Sequence, residues 1–335
     1  MKKVATIKEI AKALNISIST VSKALNDHPS IGTMTKDRVK AKAKELHYIP
    51  NQAARSFQQK KTNQIGLIVP SLRDQFYVEC ISGIEAEAIK HNYKVLLCQS
   101  HEDPQREVDL VNMMLLQRVD ALIITTTKST TNYDHIQELE QMGIPVLFFV
   151  RVPNDFPCHY IRNNAFDASQ KATEYLIKKG HKNLAHIKGP VNLRTSRERA
   201  EGFQSALASH NIKINPSYIV TTDLSQNGNE NAIKKLLSLA KKPTAVIAFN
   251  DLVALDAIEY IKKKDKTLLS QIEFSGFGNN RLLRYMDYPL TASVEEHPYN
   301  MGVEAIDILL QLIKADNEPS EYLQIVHSCE LHTYR

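Results

Sequence analysis

The sequence predicts a small all-α helix-turn-helix domain followed by an α/β core of two doubly wound parallel-sheet subdomains. Three observations predict this. Residues 1–60 hold twelve lysines and arginines against four acids, a net +8, while the rest of the 335-residue chain sums to −3. This basic head carries apolar residues at helical spacing, which a solvated basic tail would lack. From residue 64 short apolar runs alternate with amphipathic stretches, with no hairpin signals between them. That is the pattern of parallel strands with helices on both faces.

In the head, Thr6-Ile7-Lys8-Glu9 fits a capping box and opens a helix with Ile7, Ile10, Ala11 and Leu14 on one face. Asn15 stands where a left-handed residue would stop it. Ser17 caps a second helix to about Leu25, burying Val21, Ala24 and Leu25. A third helix, about Thr33 to Leu46, closes the core with Val39, Ala43 and Leu46. Its polar face carries Lys36, Arg38, Lys40, Lys42 and Lys44, suited to lying near phosphates. In a helix-turn-helix the second helix enters the DNA major groove. Its exposed positions are Ile18, Ser19, Ser22 and Lys23. Lys23 can donate to guanine, Ser19 can bond either base, and Ile18 can meet a thymine methyl. The next stretch, Pro50 to Phe57, is too short to be a stable isolated helix. Its exposed Phe57 suits an apolar wedge between minor-groove base steps.

In the body, strands are expected at Ile65–Val69, Val95–Cys98, Ala121–Thr125, Val146–Val150, Leu184–Ile187, Ala245–Phe249 and Glu273–Phe277. Helices are expected at Val78–His91, Glu107–Gln117, Ala168–Lys179, Arg197–His210 and Leu252–Lys263. Ligands of such folds bind beyond the carboxyl ends of the strands.

Composition sets outer limits. Apolar residues make up 43% and charged residues 24%, ordinary values for a soluble globular protein. No apolar run approaches the ~18–20 residues that cross a bilayer. Met1-Lys2-Lys3 leads to Lys8 and Glu9 rather than to a secretory signal. Cys80, Cys98, Cys158 and Cys329 form no CxxC pair, which fits reduced thiols in a cytoplasmic protein. Gly276-Phe277-Gly278 begins like a dinucleotide fingerprint but lacks the third glycine. No GxxxxGK[ST] loop, GxSxG elbow or paired metal-ligand spacing occurs, and His181 and His186 are read as surface or hydrogen-bonded residues. The expectation is a non-enzyme without cofactor or metal.

Ala5 to Ala11, Ser19 to Asn26, Tyr48 to Asn51 and Ala54-Arg55-Ser56 together resemble the lactose-repressor (LacI/GalR) family of transcription regulators. In the body, Ile65 to Pro70, Gly83-Ile84-Glu85, Arg118-Val119-Asp120, Asn250-Asp251, Gly276-Phe277 and Pro289-Leu290-Thr291 continue the resemblance, so it spans essentially the whole chain. It implies a periplasmic-binding-protein-like core with a small-molecule effector, a sugar or sugar derivative, held between two subdomains. It also implies a homodimer on a pseudopalindromic double-stranded DNA operator, since no added heptad helix follows the core. The organisation it implies is a helix-turn-helix domain over 1–49 and a hinge helix and linker over 50–62. The first core subdomain would take 63–161 and 292–320, and the second 162–291 and 321–335. It extends the DNA-contacting set to Thr6, Ser17, Thr20, Asn26, Tyr48, Asn51, Ala54 and Arg55. Phe57 stands where the family usually has Leu, and Gly32 where it usually has a capping Ser.

For the effector, the resemblance implies Arg73, Asp74, Phe76 and Tyr77 on the loop after the first strand, with Thr195, Arg199, Asn250 and Gly278. Val150 and Gly278 stand where relatives commonly have Asp, and Asn164 is aligned with a third acid. With Arg73, Arg151, Arg194, Arg197 and Arg199 in the region, an anionic sugar derivative is one expectation. A transport-type sugar-binding protein without a DNA role is the alternative, against which the basic head argues.

Overall fold

The chain divides after Thr62 into two compact units. A computed structural model describes residues 5–49, 61–154, 156–315 and 321–334. The expected hinge from Pro50 to Phe57 lies outside the described residues.

The first unit contains α1 (Ile7–Leu14), α2 (Ile18–Leu25) and α3 (Thr33–Glu45). The Glu9 carboxylate accepts the Thr6 N–H at 2.7 Å, and Asn15 ends α1 in the left-handed region at φ 52°. Ser17 Oγ accepts the Thr20 N–H at 3.0 Å and starts α2. Ile10, Val21, Ala24 and Val39 are completely buried where the helices cross. Leu14, Leu25, Leu46 and Tyr48 pack around them. Gly32 precedes α3 with no capping side chain.

In the second unit, β1 (Gln64–Val69), α4 (Gln75–Lys90), β2 (Lys94–Gln99), α5 (Pro104–Leu116), β3 (Ala121–Ile124), α6 (Asp134–Gln141), β4 (Val146–Phe149) and β5 (His159–Asn163) alternate. A second series comprises α7 (Ala165–Lys178), β6 (Leu184–Lys188), α8 (Arg194–Ser209), β7 (Ile219–Thr221), α9 (Gln226–Leu237), β8 (Ala245–Ala248), α10 (Asp251–Lys264), β9 (Glu273–Phe277) and β10 (Ala292–Glu295). Last come α11 (Pro298–Lys314), β11 (Gln324–His327) and β12 (Glu330–Thr333). They build two six-stranded sheets, ordered β11-β5-β4-β3-β1-β2 and β12-β10-β9-β8-β6-β7. Every pairing is parallel except β10 with β12. The interiors of β1, β3, β4 and β8 are unbroken apolar runs, as strands covered on both faces require.

The chain passes between the sheets three times, and each passage corrects an expected boundary. β5 runs to Asn163 in the first sheet, two residues past 161. β10 does not open the return to the first subdomain at 292: Ala292 pairs with Ser275 of β9, so the return comes after Glu295. β11 still belongs to the first sheet, with Gln324 opposite Tyr160, so the last passage falls after His327 rather than near 321. Hydrogen-bond partners, invisible in a single sequence, set these limits.

α11 packs on α4 at a backbone-to-backbone distance that only glycine allows. A Cβ on Gly83 would stand 2.1 Å from the Tyr299 carbonyl oxygen, and one on Gly302 would stand 2.3 Å from that of Cys80. Gly83→Ala must therefore part the two helices, with an expected loss of ~1–3 kcal/mol in urea denaturation. An unchanged midpoint would contradict this packing.

His186 on β6 is fully buried, donates from Nδ1 to the Ile247 carbonyl at 2.9 Å, and stacks on Phe203 at 5.4 Å. Burial lowers its pKa to about 4. A base depressed in the folded state contributes stability that is complete above the unfolded pKa of ~6.5 and lost as pH falls toward the folded value. His186→Gln keeps a donor without the titration. The wild-type advantage over that variant is therefore expected to shrink by about 3 kcal/mol between pH 7 and pH 4. A constant difference would contradict the assignment.

Candidate functional site

On the first unit, α2 presents Ile18, Ser19 and Lys23 to solvent, with Ile18 46% exposed. Ser22 and Thr20 are half-buried. The Ser17 hydroxyl is engaged at 2.8 Å with both the Ser19 and the Thr20 hydroxyls, so these three side chains form one cap cluster at the start of α2. Thr6 lies at the start of α1 and Asn26 at the end of α2. Tyr48 packs against the helical core. Asn51, Ala54, Arg55 and Phe57 lie outside the described residues. Part of the α3 charge is spent within the unit: Lys40 pairs with Asp27 at 2.6 Å, Lys36 donates to the Asp27 carbonyl at 3.0 Å, and Lys42 pairs with Glu45 at 2.6 Å. The exposed polar and apolar groups of α2 remain as the surface suited to base edges.

On the second unit a cavity with about 100 Å³ of free space opens between the two sheets. Segments at and just beyond the carboxyl ends of eight strands form its walls, Leu224 after β7 and Glu296 after β10 among them. Asp74, Phe76 and Tyr77 come after β1, Val150 and Arg151 after β4, and Asn163 and Ala165 from the end of β5 onward. Leu193, Thr195 and Arg199 come after β6, Phe249 and Asn250 after β8, and Phe277 and Gly278 at the end of β9. Seven of the expected effector residues thus line one cavity, and Arg73, exposed on its loop, does not.

Local chemistry explains the placements. Asp74 caps α4, accepting the Phe76 N–H at 3.0 Å, and burial raises its carboxyl above the ordinary range despite that bond and the nearby Arg151 and Arg199. Asn250 caps α10 through Val253 N–H at 3.0 Å. Asp251 is buried behind Gly278, held by Ser293 Oγ at 2.7 Å and Asn280 N–H at 2.9 Å, and burial pushes its pKa to about 6. It supports the wall rather than lining it. Gly278 takes φ 119°, which a side chain there would strain.

Of the arginines named with the anionic expectation, Arg151, Arg194, Arg197 and Arg199 already have partners within the chain. Arg194 pairs with Glu198 at 3.1 Å and Arg197 bonds Asn154, and neither lines the cavity. Arg151 does, yet it grips Glu102 with two nitrogens at 3.0 and 2.8 Å. Arg199 is buried between the rings of Phe277 and Phe249, 3.8 and 4.9 Å from their centroids, and pairs with Glu296 at 2.7 Å. Glu296 is itself raised by burial, Arg199 notwithstanding. Each lining guanidinium already has its carboxylate. Arg151 is aimed inward by a turn at Val150, whose φ of 66° is rare for a β-branched residue and which is closed by Arg151 N–H to Phe149 O at 2.7 Å. Across the mouth, Lys128 Nζ reaches the Asp223 carbonyl of the other subdomain at 2.8 Å.

Sequence reasoning missed Asn163 and Glu296. Two buried side-chain atoms of this lining lack any partner among the described residues: Asn163 Oδ1, an acceptor, and Arg199 Nε, a donor. A polar residue ending a buried strand, as in Tyr160-Ile161-Arg162-Asn163 and Ser293-Val294-Glu295-Glu296, is the signal that could have found them.

Comparison with known proteins agrees with both units. The description "Bacterial regulatory proteins, lacI family" matches residues 6–51, and "Periplasmic binding proteins and sugar binding domain of LacI family" matches residues 62–333. The catabolite control protein A of Priestia megaterium is 31% identical, over 97% of both chains. The repressor PurR of Histophilus somni is 30% identical over 96% of both. The ribose operon repressor of Escherichia coli is 29% identical, over 96% of this chain and 97% of its own. Among solved structures, a lac repressor dimer bound to operator and an anti-inducer superposes with a TM-score of 0.84 at 24% identity, covering 98% of each chain. The chain belongs to the LacI family of bacterial regulatory proteins, DNA-binding transcriptional regulators that carry a ligand-binding domain.

Proposed function

We propose that this regulator is a cytoplasmic, dimeric repressor whose operator affinity is set by an uncharged, hydroxyl-rich small molecule, a sugar or sugar derivative, held in the cavity between the two subdomains. The observation that carries the effector class is the pair of unpartnered buried atoms. Asn163 Oδ1 can accept from a ligand hydroxyl and Arg199 Nε can donate to one, beside the apolar faces of Phe76, Phe249 and Phe277. Buried polar groups left without partners are costly, so a ligand supplying them gains selectively over one that does not. Asp74 adds a further carboxylate acceptor, and neither lining arginine offers free positive charge to a phosphate.

Exposed Ile18, Ser19 and Lys23 support base reading by α2, with Thr6, Ser17, Thr20, Ser22, Asn26 and Tyr48 around them. Exposed Leu252, Leu282, Tyr285 and Met286 on the second subdomain support a partner-covered face, in keeping with a dimer. The described residues include no helix long and apolar enough to cross a membrane. Effector binding alters how the subdomains close, and a coupling of ~1–3 kcal/mol would change operator affinity roughly 5- to 150-fold.

The test is thermal melting of the purified chain against neutral sugars and polyols and their phosphate esters. A ligand at one hundred times its Kd stabilises by about 2.7 kcal/mol, which reads as a rise of several degrees. Neutral compounds are expected to supply it. Stabilisation by the phosphate esters alone would overturn the uncharged class.

A further inference from the structure

The second subdomain carries a strong charge asymmetry that neither operator reading nor the cavity uses. In a parallel α/β sheet the carboxyl ends of the helices and the amino ends of the strands lie along one edge. Here the last turns of α7, α9 and α10 bring Lys178 with Lys179, Lys234 with Lys235, and Lys262 to Lys264 to that edge. The loops entering the strands add Lys182 before β6, Lys213 before β7, Lys241 and Lys242 before β8, and Lys266 before β9. Hydrogen bonds tie these loops together. Tyr218 Oη donates to the Lys241 carbonyl at 2.8 Å, Thr244 N–H to the Asn183 carbonyl at 2.8 Å, and Glu273 N–H to the Thr244 carbonyl at 3.0 Å. All twelve lysines are exposed, against Glu259, Asp265, Glu273 and Asp287 on the same edge.

Lysines at helix ends are commonly explained by the helix dipole. The first subdomain supplies the control, because it has the same topology and the same dipoles. Its corresponding edge carries, among the described residues, Lys90, Lys94, Arg118 and Lys314 against Asp120, Glu138, Glu140 and Glu321. It is balanced, so topology does not account for the lysine-rich edge.

We infer that the lysine edge of the second subdomain is a docking surface for the phosphate backbone of duplex DNA, bound without regard to sequence. Every cation there is a lysine, a point charge that attracts phosphates without the bidentate geometry by which arginine reads bases. Of the exposed large apolar side chains only Tyr285 and Met286, next to Asp287, come near this edge, too few for the anchor of a membrane-surface helix or the apolar centre of a protein interface.

The test uses the full chain and a variant with Lys213, Lys241, Lys242, Lys262, Lys263 and Lys264 all changed to Gln. Binding to a 30-bp duplex of random sequence is titrated from roughly 50 to 300 mM NaCl. The first unit is the same in both proteins, so the difference isolates the edge. Each neutralised phosphate contributes about 0.9 to the slope of log K against log salt, so the variant's slope is expected to be shallower by about 2–5. Its low-salt affinity should fall at least tenfold, with thermal melting unchanged. A triple variant at Lys241, Lys242 and Lys262 should show about half the change, and serves if the larger variant folds poorly. Coincident slopes, or a lysine-dependent retention on phosphatidylserine vesicles without one on the duplex, would overturn the inference.

Discussion

Arg199→Met is expected to destabilise the core by ~3–5 kcal/mol, because it strands the Glu296 carboxylate in a buried site. The two groups are 2.7 Å apart and only 5% and 11% of their side-chain surfaces remain exposed. Burial already raises the Glu296 carboxyl, and removing the guanidinium raises it further. A carboxyl whose folded pKa lies above its unfolded value stabilises the fold at low pH and loses that contribution as pH rises through the folded value. The deficit of the variant therefore narrows as pH falls from 7 towards 4. Adding Glu296→Leu should recover most of the loss at pH 7, since an apolar pair costs little where a lone charge costs much. Urea denaturation at both pH values reads all three proteins. Equal losses for the single and double variants would contradict the pairing. Both should also lose stabilisation by the effector, because Arg199 Nε would no longer be there to donate.

Lys23→Ala has the next largest expected effect. Lys23 stands exposed on α2 beside Ile18 and Ser19, on the face suited to the major groove. Losing one base-reading lysine is expected to cost ~1–3 kcal/mol at each half-site and to relax preference at one base position. Affinity for random duplex should fall only slightly, as for one lost cation. Competition between operator variants checks this. A uniform loss across all sequences would make Lys23 a phosphate contact and leave Ser19 and Ile18 as the readers.

Much of this architecture was legible in the residues because buried parallel strands leave unbroken apolar runs. Glu273–Phe277 stands with the limits the sequence suggests, the other six expected strands differ by one residue at one or both ends, and β5, β7, β10, β11 and β12 were not among the expected strands. Helices in the core begin earlier than apolar spacing implies. Asp74, Asp103 and Asn164 cap them, and polar first turns such as Gln75 or Gln105 carry no apolar signal. The crossings were not legible. Ala292–Glu295 could complete either sheet on its own composition, and only its pairing with β9 and β12 decides.

The cavity was half legible. The family resemblance implied Asp74, Thr195, Arg199 and Asn250, and all four lie on the cavity wall. The charge of the site was not legible. Arg151 and Glu102 lie 49 positions apart, and Arg199 and Glu296 lie 97 apart. Counting arginines near a cleft suggests an anion site until these partners are known. Glu296 is the instructive case: one acid after a buried strand looks like a loop residue, yet its partner makes it part of the wall.

The central claim, a repressor that reads operator DNA through α2, is tested most directly by sequencing genomic fragments enriched by the purified full chain. The expected result is a pseudopalindromic motif, lost or degenerate at one position per half-site in Lys23→Ala. Absence of any motif, both with the protein alone and after adding cell extract as a source of ligand, would contradict the account.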